Sequence, residues 1–129
     1  MAKVLVVEDN PANMTLSTFL LESAGHNVLK ATDAETGVAL ATAEQPDLIL
    51  MDIQLPGMDG LRATALLKGG AATRDIPVIA LTALAMKGDE ERIRKAGCDG
   101  YIAKPLSYKD FLTTISSELG KRAAAHPGS

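Results

Sequence analysis

Glu8 and Asp9 follow the apolar run Val4-Leu-Val-Val7, and Asp52 follows Leu48-Ile-Leu-Met51. Thr82 follows Val78-Ile-Ala-Leu81, and Lys104, itself followed by Pro105, comes after the weaker run Gly100-Tyr-Ile-Ala103. Three carboxylates gathered by a fold repel one another, so keeping them ionised calls for a cation nearby. Oxygen ligands without His or Cys favour a hard ion. Mg²⁺ suits such a set because it is held by a few carboxylates, keeps waters and still accepts a phosphate oxygen. A carboxylate ending an apolar strand is costly to keep ionised without a partner, which favours a functional reading of Asp52. Such a carboxylate can attack a phosphoryl group to form an aspartyl phosphate, provided that metal and cationic groups offset the transferred charge. Lys104 could supply positive charge, and Thr82 a hydrogen bond to a phosphoryl oxygen. Each residue also has a plain reading when taken alone. Glu8 and Asp9 suit a solvated loop in which Asp9 or Asn10 caps a helix, Thr82 suits a turn, and Lys104-Pro105 suits a helix-starting loop with either proline isomer.

These residues act together only if the elements between them bring strand ends to one place. The runs at 4–7, 48–51 and 78–81 are apolar without alternation, as in parallel strands covered on both faces, and Asn27-Val-Leu-Lys-Ala31 adds a fifth short run. Helix-length segments lie between them. Asn10 with Pro11 can start one helix and Gly25 can close it, while Asp33, Asp59 and Ser107 can cap others. In the first segment Met14, Phe19, Leu20, Leu21 and Ala24 predict a broad apolar stripe against a sheet. Five βα units with short connections imply a doubly wound five-stranded parallel sheet flanked by five helices. In such a sheet the ligand site lies beyond the carboxyl ends of the strands, where Glu8, Asp9, Asp52, Thr82 and Lys104 stand.

At 129 residues the chain is the size of one domain. Residues 1–120 are expected to form it, and 121–129, with Ala-Ala-Ala and Pro-Gly-Ser, to be a frayed tail. The net charge of −3, without a dense Lys/Arg run, argues against nucleic acid or an anionic membrane as a direct partner. No apolar stretch approaches the roughly 20 residues that span a bilayer, and the amino terminus does not resemble a signal peptide. The single Cys98 permits no internal disulfide, so a cytoplasmic location is expected. Cys98, His26 and the five methionines read plainly as a small buried thiol, a surface imidazole and core filling.

Over roughly residues 2 to 120 the chain resembles the response-regulator receiver domains of the CheY-like superfamily. The matching stretches are Val4-Leu-Val-Val-Glu8-Asp9-Asn10, Asp47-Leu-Ile-Leu-Met-Asp52-Ile-Gln-Leu-Pro56-Gly-Met-Asp-Gly60, Ile79-Ala-Leu-Thr82-Ala83 and Gly100-Tyr101-Ile-Ala-Lys104-Pro105. Any one is weak; four in order at this spacing are specific. The resemblance implies a flavodoxin-like strand order of 2-1-3-4-5. It implies Asp52 as phosphoacceptor, supplied by a sensor histidine kinase or a histidine phosphotransfer protein, in two-component signalling or a phosphorelay. Glu8, Asp9, Asp52 and the backbone carbonyl of Gln54 would surround Mg²⁺, with Thr82 and Lys104 holding phosphoryl oxygens. Thr82 and Tyr101 would form a switch, Tyr101 moving from exposed to buried, and the output would be protein binding, with no enzymatic turnover of a separate substrate.

The segment Leu84 to Gly97 looks especially like single-domain receivers of the DivK cell-cycle type and receivers attached to hybrid kinases. Its charges Asp89, Glu90, Glu91, Arg92, Arg94 and Lys95 suit a solvated helix face with local ion pairs. Lys87–Lys95, Tyr101 and Ser107–Leu119 are the expected surface for a downstream protein. A receiver excised from a hybrid histidine kinase would look the same. A phosphatase of the haloacid-dehalogenase type also uses an aspartate after a parallel strand, but needs a second one where Gln54 stands and room for a cap. A flavin or nucleotide module would cradle phosphate in a Gly-rich first loop, where this chain has Glu8-Asp9-Asn10-Pro11.

Overall fold

The computed structural model describes residues 2–55, 57–82, 87–104 and 108–125, with the side chains of 90–104 and 109–121 in the last two stretches. Pro56, Ala83, Leu84, Pro105 and Ser107, which the sequence reading singled out, lie outside the described residues, as do the side chains of Lys87 and Asp89. Strands β1 (Lys3–Val7), β2 (Asn27–Ala31), β3 (Leu48–Asp52), β4 (Val78–Thr82) and β5 (Gly100–Ala103) form one parallel sheet in the order β2-β1-β3-β4-β5. Helices α1 (Pro11–Ser23), α2 (Ala34–Glu44), α3 (Gly60–Gly69), α4 (Lys87–Lys95) and α5 (Tyr108–Ala125) follow the strands in turn. Both the expected fold and the strand order implied by the resemblance are thus present.

The unalternating runs are buried throughout β3 and β4 and over Val4–Val7 of β1. The period of two deals them to two cores. Leu5, Val7, Ile49, Met51, Val78 and Ala80 meet Ala34 and Ala41 of α2, Ala63 and Leu67 of α3, and Ile93 of α4. Val4, Val6, Leu48, Leu50, Ile79 and Leu81 meet Leu20 and Leu21 of α1 and Phe111 and Ile115 of α5. Helix starts follow the expected caps: Asn10 Oδ1 accepts the Asn13 N–H at 3.0 Å, Asp33 Oδ1 that of Thr36 at 2.7 Å, and Asp59 Oδ1 that of Arg62 at 2.8 Å. Gly25, at φ 92°, follows the C-cap Ala24, a backbone shape that favours glycine.

Two expectations need correcting. Phe19 is 64% exposed and Ala24 is exposed, while Ser17 and Thr18 are buried. At about 100° per residue, Met14, Ser17, Thr18 and Leu21 share the inward face and Phe19 lies roughly opposite. Small residues at 17 and 18 occupy the positions facing the sheet. His26 is half-buried, and its Nδ1 accepts the Ala2 N–H at 3.3 Å. Helix α5 runs through Ala125. Lys121 pairs with Glu118 one turn back at 3.2 Å, and alanine is the strongest helix former.

Cys98 is free and buried, as expected. The pairs Arg94–Glu90 at 3.0 Å and Lys95–Glu91 at 3.5 Å are the expected local ion pairs of α4. Among the described residues no helix is long and apolar enough to cross a membrane.

Candidate functional site

Sheet register determines which side chains meet. The Glu8 N–H donates to the Ala31 carbonyl at 3.0 Å, carrying the β1–β2 ladder one residue past Val7. By the two-residue period Glu8 therefore emerges on the face of Val4 and Val6, and Asp52 on the face of Leu48 and Leu50, which is the same one. Thr82 pairs with Ala103 across β4 and β5, so Lys104 stands one residue beyond the sheet and donates its N–H to the Thr82 carbonyl at 2.7 Å.

The result is a compact cluster of charge. Glu8, Asp9 and Asp52 each offer a carboxylate oxygen, all within 4.8 Å of one another. Glu8 is 0% and Asp52 2% exposed, whereas Asp9 lies open at the rim. Lys104 reaches in with Nζ 3.0 Å from Glu8 Oε1 and 3.1 Å from Asp52 Oδ2. Glu8 Oε2 also accepts the Asn10 N–H at 3.2 Å, and Asp52 Oδ1 accepts the Gln54 N–H at 2.9 Å. Burial pushes the Glu8 carboxyl up to about 7, the nearby Asp52 adding to the rise and Lys104 and the Asn10 amide opposing it. For Lys104 burial works downward, but the two carboxylates outweigh it and hold its ammonium above the usual lysine range.

Glu8, Asp9, Asp52 and Lys104 are thus brought to one point, and Thr82 ends β4 beside them with its carbonyl on the Lys104 N–H; the residue that stands apart is Tyr101. That residue lies on the edge strand β5, 41% exposed, opposite Ala80 of β4. Ile53 and Leu55 are buried in the core on the α2–α3 side, with exposed Gln54 between them, so the loop after Asp52 is anchored on both sides of Gln54. Two contacts had no signal in the sequence. Lys104 grips Glu8 as well as Asp52, across 96 residues of chain, and Asn10, legible as a helix cap, also holds Glu8 through its backbone.

Two buried carboxylates, an exposed third and one ammonium leave an excess of negative charge with oxygen donors alone, which fits a hard divalent cation such as Mg²⁺. Among the described residues Glu8, Asp9 and Asp52 are the side chains grouped closely enough to hold it, Gln54 lying beside them.

The family described as "Response regulator receiver domain" matches residues 4–116. The chain is 51% identical over 117 residues to the polar-differentiation response regulator DivK of Brucella anthropi, covering 91% of this chain and 95% of that protein. Among solved structures it is similar to the receiver domain of a sensor histidine kinase from Pseudomonas aeruginosa, described with a magnesium ion coordinated in the active site cleft. That likeness has a TM-score of 0.86 at 37% identity, over 92% of this chain and 98% of the other. A CheY-like receiver domain protein from Methanospirillum hungatei gives a TM-score of 0.89 at 28% identity, over 97% and 98% of the two chains.

Proposed function

The chain belongs to the response-regulator receiver family, and from that premise we propose that it is a DivK-like, Mg²⁺-dependent signalling switch phosphorylated on Asp52. The observation that carries this reading is the Lys104 ammonium bridging the buried Glu8 and Asp52 carboxylates at 3.0 and 3.1 Å. Glu8, Asp9, Asp52 and the Gln54 carbonyl would hold Mg²⁺, whose charge offsets that of the phosphoryl oxygens when it is bound. The donor is a phosphohistidine of a sensor kinase or a phosphotransfer protein. An Asp52 oxygen attacks phosphorus, an O–P bond forms as the N–P bond breaks, and the leaving imidazole takes a proton. Lys104 stays within reach of the transferred group, and Thr82, at the carboxyl end of β4, donates to another of its oxygens.

Phosphorylation then draws Thr82 inward and allows Tyr101, now 41% exposed, to pack against β4. Coupling of about 1–3 kcal/mol between site and surface changes partner affinity roughly 5- to 150-fold. The surface read by a downstream protein comprises Lys87–Lys95, Tyr101 and Ser107–Leu119, part of it outside the described residues. The role is that of a cytoplasmic switch, promoting only its own phosphorylation and dephosphorylation.

The test is intact-protein mass after incubation with acetyl phosphate, with and without Mg²⁺, for the wild type beside Asp52→Asn. One added phosphoryl group that needs both the metal and Asp52 is expected. Addition to the Asn variant would place the acceptor elsewhere and overturn the reading.

A further inference from the structure

We propose that Gly60 is a positioning residue of the acidic site: it lets the amino end of α3 press on the Asp52–Ile53 peptide, keeping Asp52 and Gln54 in register with Glu8 and Asp9. This rests on the metal-binding reading above.

Gly60 is buried at the first position of α3. A Cβ there would lie 2.2 Å from the Asp52 carbonyl oxygen, 2.7 Å from Ile53 Cα and 2.8 Å from the Asp52 carbonyl carbon. All three are backbone atoms of the peptide that follows the proposed phosphoacceptor, so no side chain can swing aside. At Gly37, by contrast, a Cβ would meet the Val7 side chain at 2.7 Å, and at Gly57 and Gly69 it would meet nothing within 4 Å. The demand at Gly60 is therefore for space beside the site.

Ile53 is held from both sides. The Ile53 N–H donates to Leu81 of β4 at 3.1 Å, and the Gly60 N–H approaches the Ile53 carbonyl at 3.4 Å. The buried Thr64 hydroxyl donates to the Gly60 carbonyl at 2.8 Å and Asp59 caps the helix, so the first turn of α3 is itself fixed. A methyl group at 60 has to retreat from 2.2 Å to at least 3.0 Å, moving helix or peptide by 0.8 Å or more. Mg²⁺ demands near-ideal octahedral geometry at about 2.0–2.1 Å, and a misplacement of about 1 Å can cost on the order of 100-fold in a reaction that depends on alignment.

The test is the Mg²⁺ dissociation constant by titration calorimetry for the wild type, Gly60→Ala, Thr64→Val and Thr64→Ser, beside thermal melts in EDTA that establish the folded fraction. Folded Gly60→Ala is expected to bind Mg²⁺ about tenfold or more weakly. Thr64→Val should weaken it less, and Thr64→Ser, which keeps the hydroxyl, should restore it. A purely structural role would lower the melting temperature and leave the constant alone. Wild-type affinity in folded Gly60→Ala overturns the proposal; should that variant not fold, wild-type affinity in Thr64→Val does so. A wild type that takes no Mg²⁺ removes the metal site itself, and this role with it, whereas retained affinity in the variants removes only the positioning role.

Discussion

Replacing Lys104 with methionine keeps most of the apolar stem and deletes the ammonium that touches both buried carboxylates. At an effective dielectric constant of about 20, each contact near 3 Å is worth on the order of 5 kcal/mol of gross attraction. Removing one partner of a buried pair costs about 3–5 kcal/mol net. The site opens to solvent at Asp9, so the lower end, about 3 kcal/mol, is expected in EDTA at about pH 8. That is a large share of the roughly 5–15 kcal/mol that holds a domain together. Glu8, already pushed up to about 7 with the lysine present, takes a proton more readily without it. The loss should therefore shrink at about pH 5.5, where protonation removes one of the two facing charges. Urea unfolding followed by circular dichroism at both pH values measures the difference, and saturating Mg²⁺ at about 100 times its dissociation constant should return roughly 2.7 kcal/mol. A variant as stable as the wild type at the higher pH, or equally destabilised at both, would refute the reasoning.

The metal-free wild type should itself lose stability as pH rises. The folded Glu8 value of about 7 lies above the ordinary 4.5, so between those values the native state binds more protons than the unfolded one, and this stabilisation is lost as pH passes through 7. Urea midpoints in EDTA across that window check it, and Glu8→Gln should flatten the slope. Asp9→Asn should weaken Mg²⁺ about tenfold or more in a calorimetric titration while leaving the metal-free fold as stable as before or more so, since Asp9 is exposed beside two like charges. Asn10→Ala should cost about 1 kcal/mol in urea unfolding through loss of the α1 cap. Its Mg²⁺ affinity should stay near the wild-type value, because the contact to Glu8 is made by the backbone N–H.

Short-range physics was legible in the sequence. Apolar runs without alternation mark strands covered on both faces, and β1, β3 and β4 lie where those runs do. Asn10, Asp33 and Asp59 announce helix starts because a cap acts within three residues of itself. The position of Asp52, Thr82 and Lys104 at or just beyond strand ends already pointed to one edge of one sheet. What tertiary structure decided were the approaches between distant segments. Glu8 and Asp52 emerge on the same face because of the register of two parallel strands, and Lys104 joins them from 96 residues away. Phe19 faces outward and Ser17 inward because the way α1 sits on the sheet, not hydrophobicity alone, selects its buried side. Gly60 looks like any glycine after an aspartate until α3 is laid against β3, and only then is there no room for a methyl group. Residue type and local order act over a few residues and survive in the sequence as pattern. Separations of 3 Å between remote groups depend on sheet order, twist and packing, which no local pattern contains.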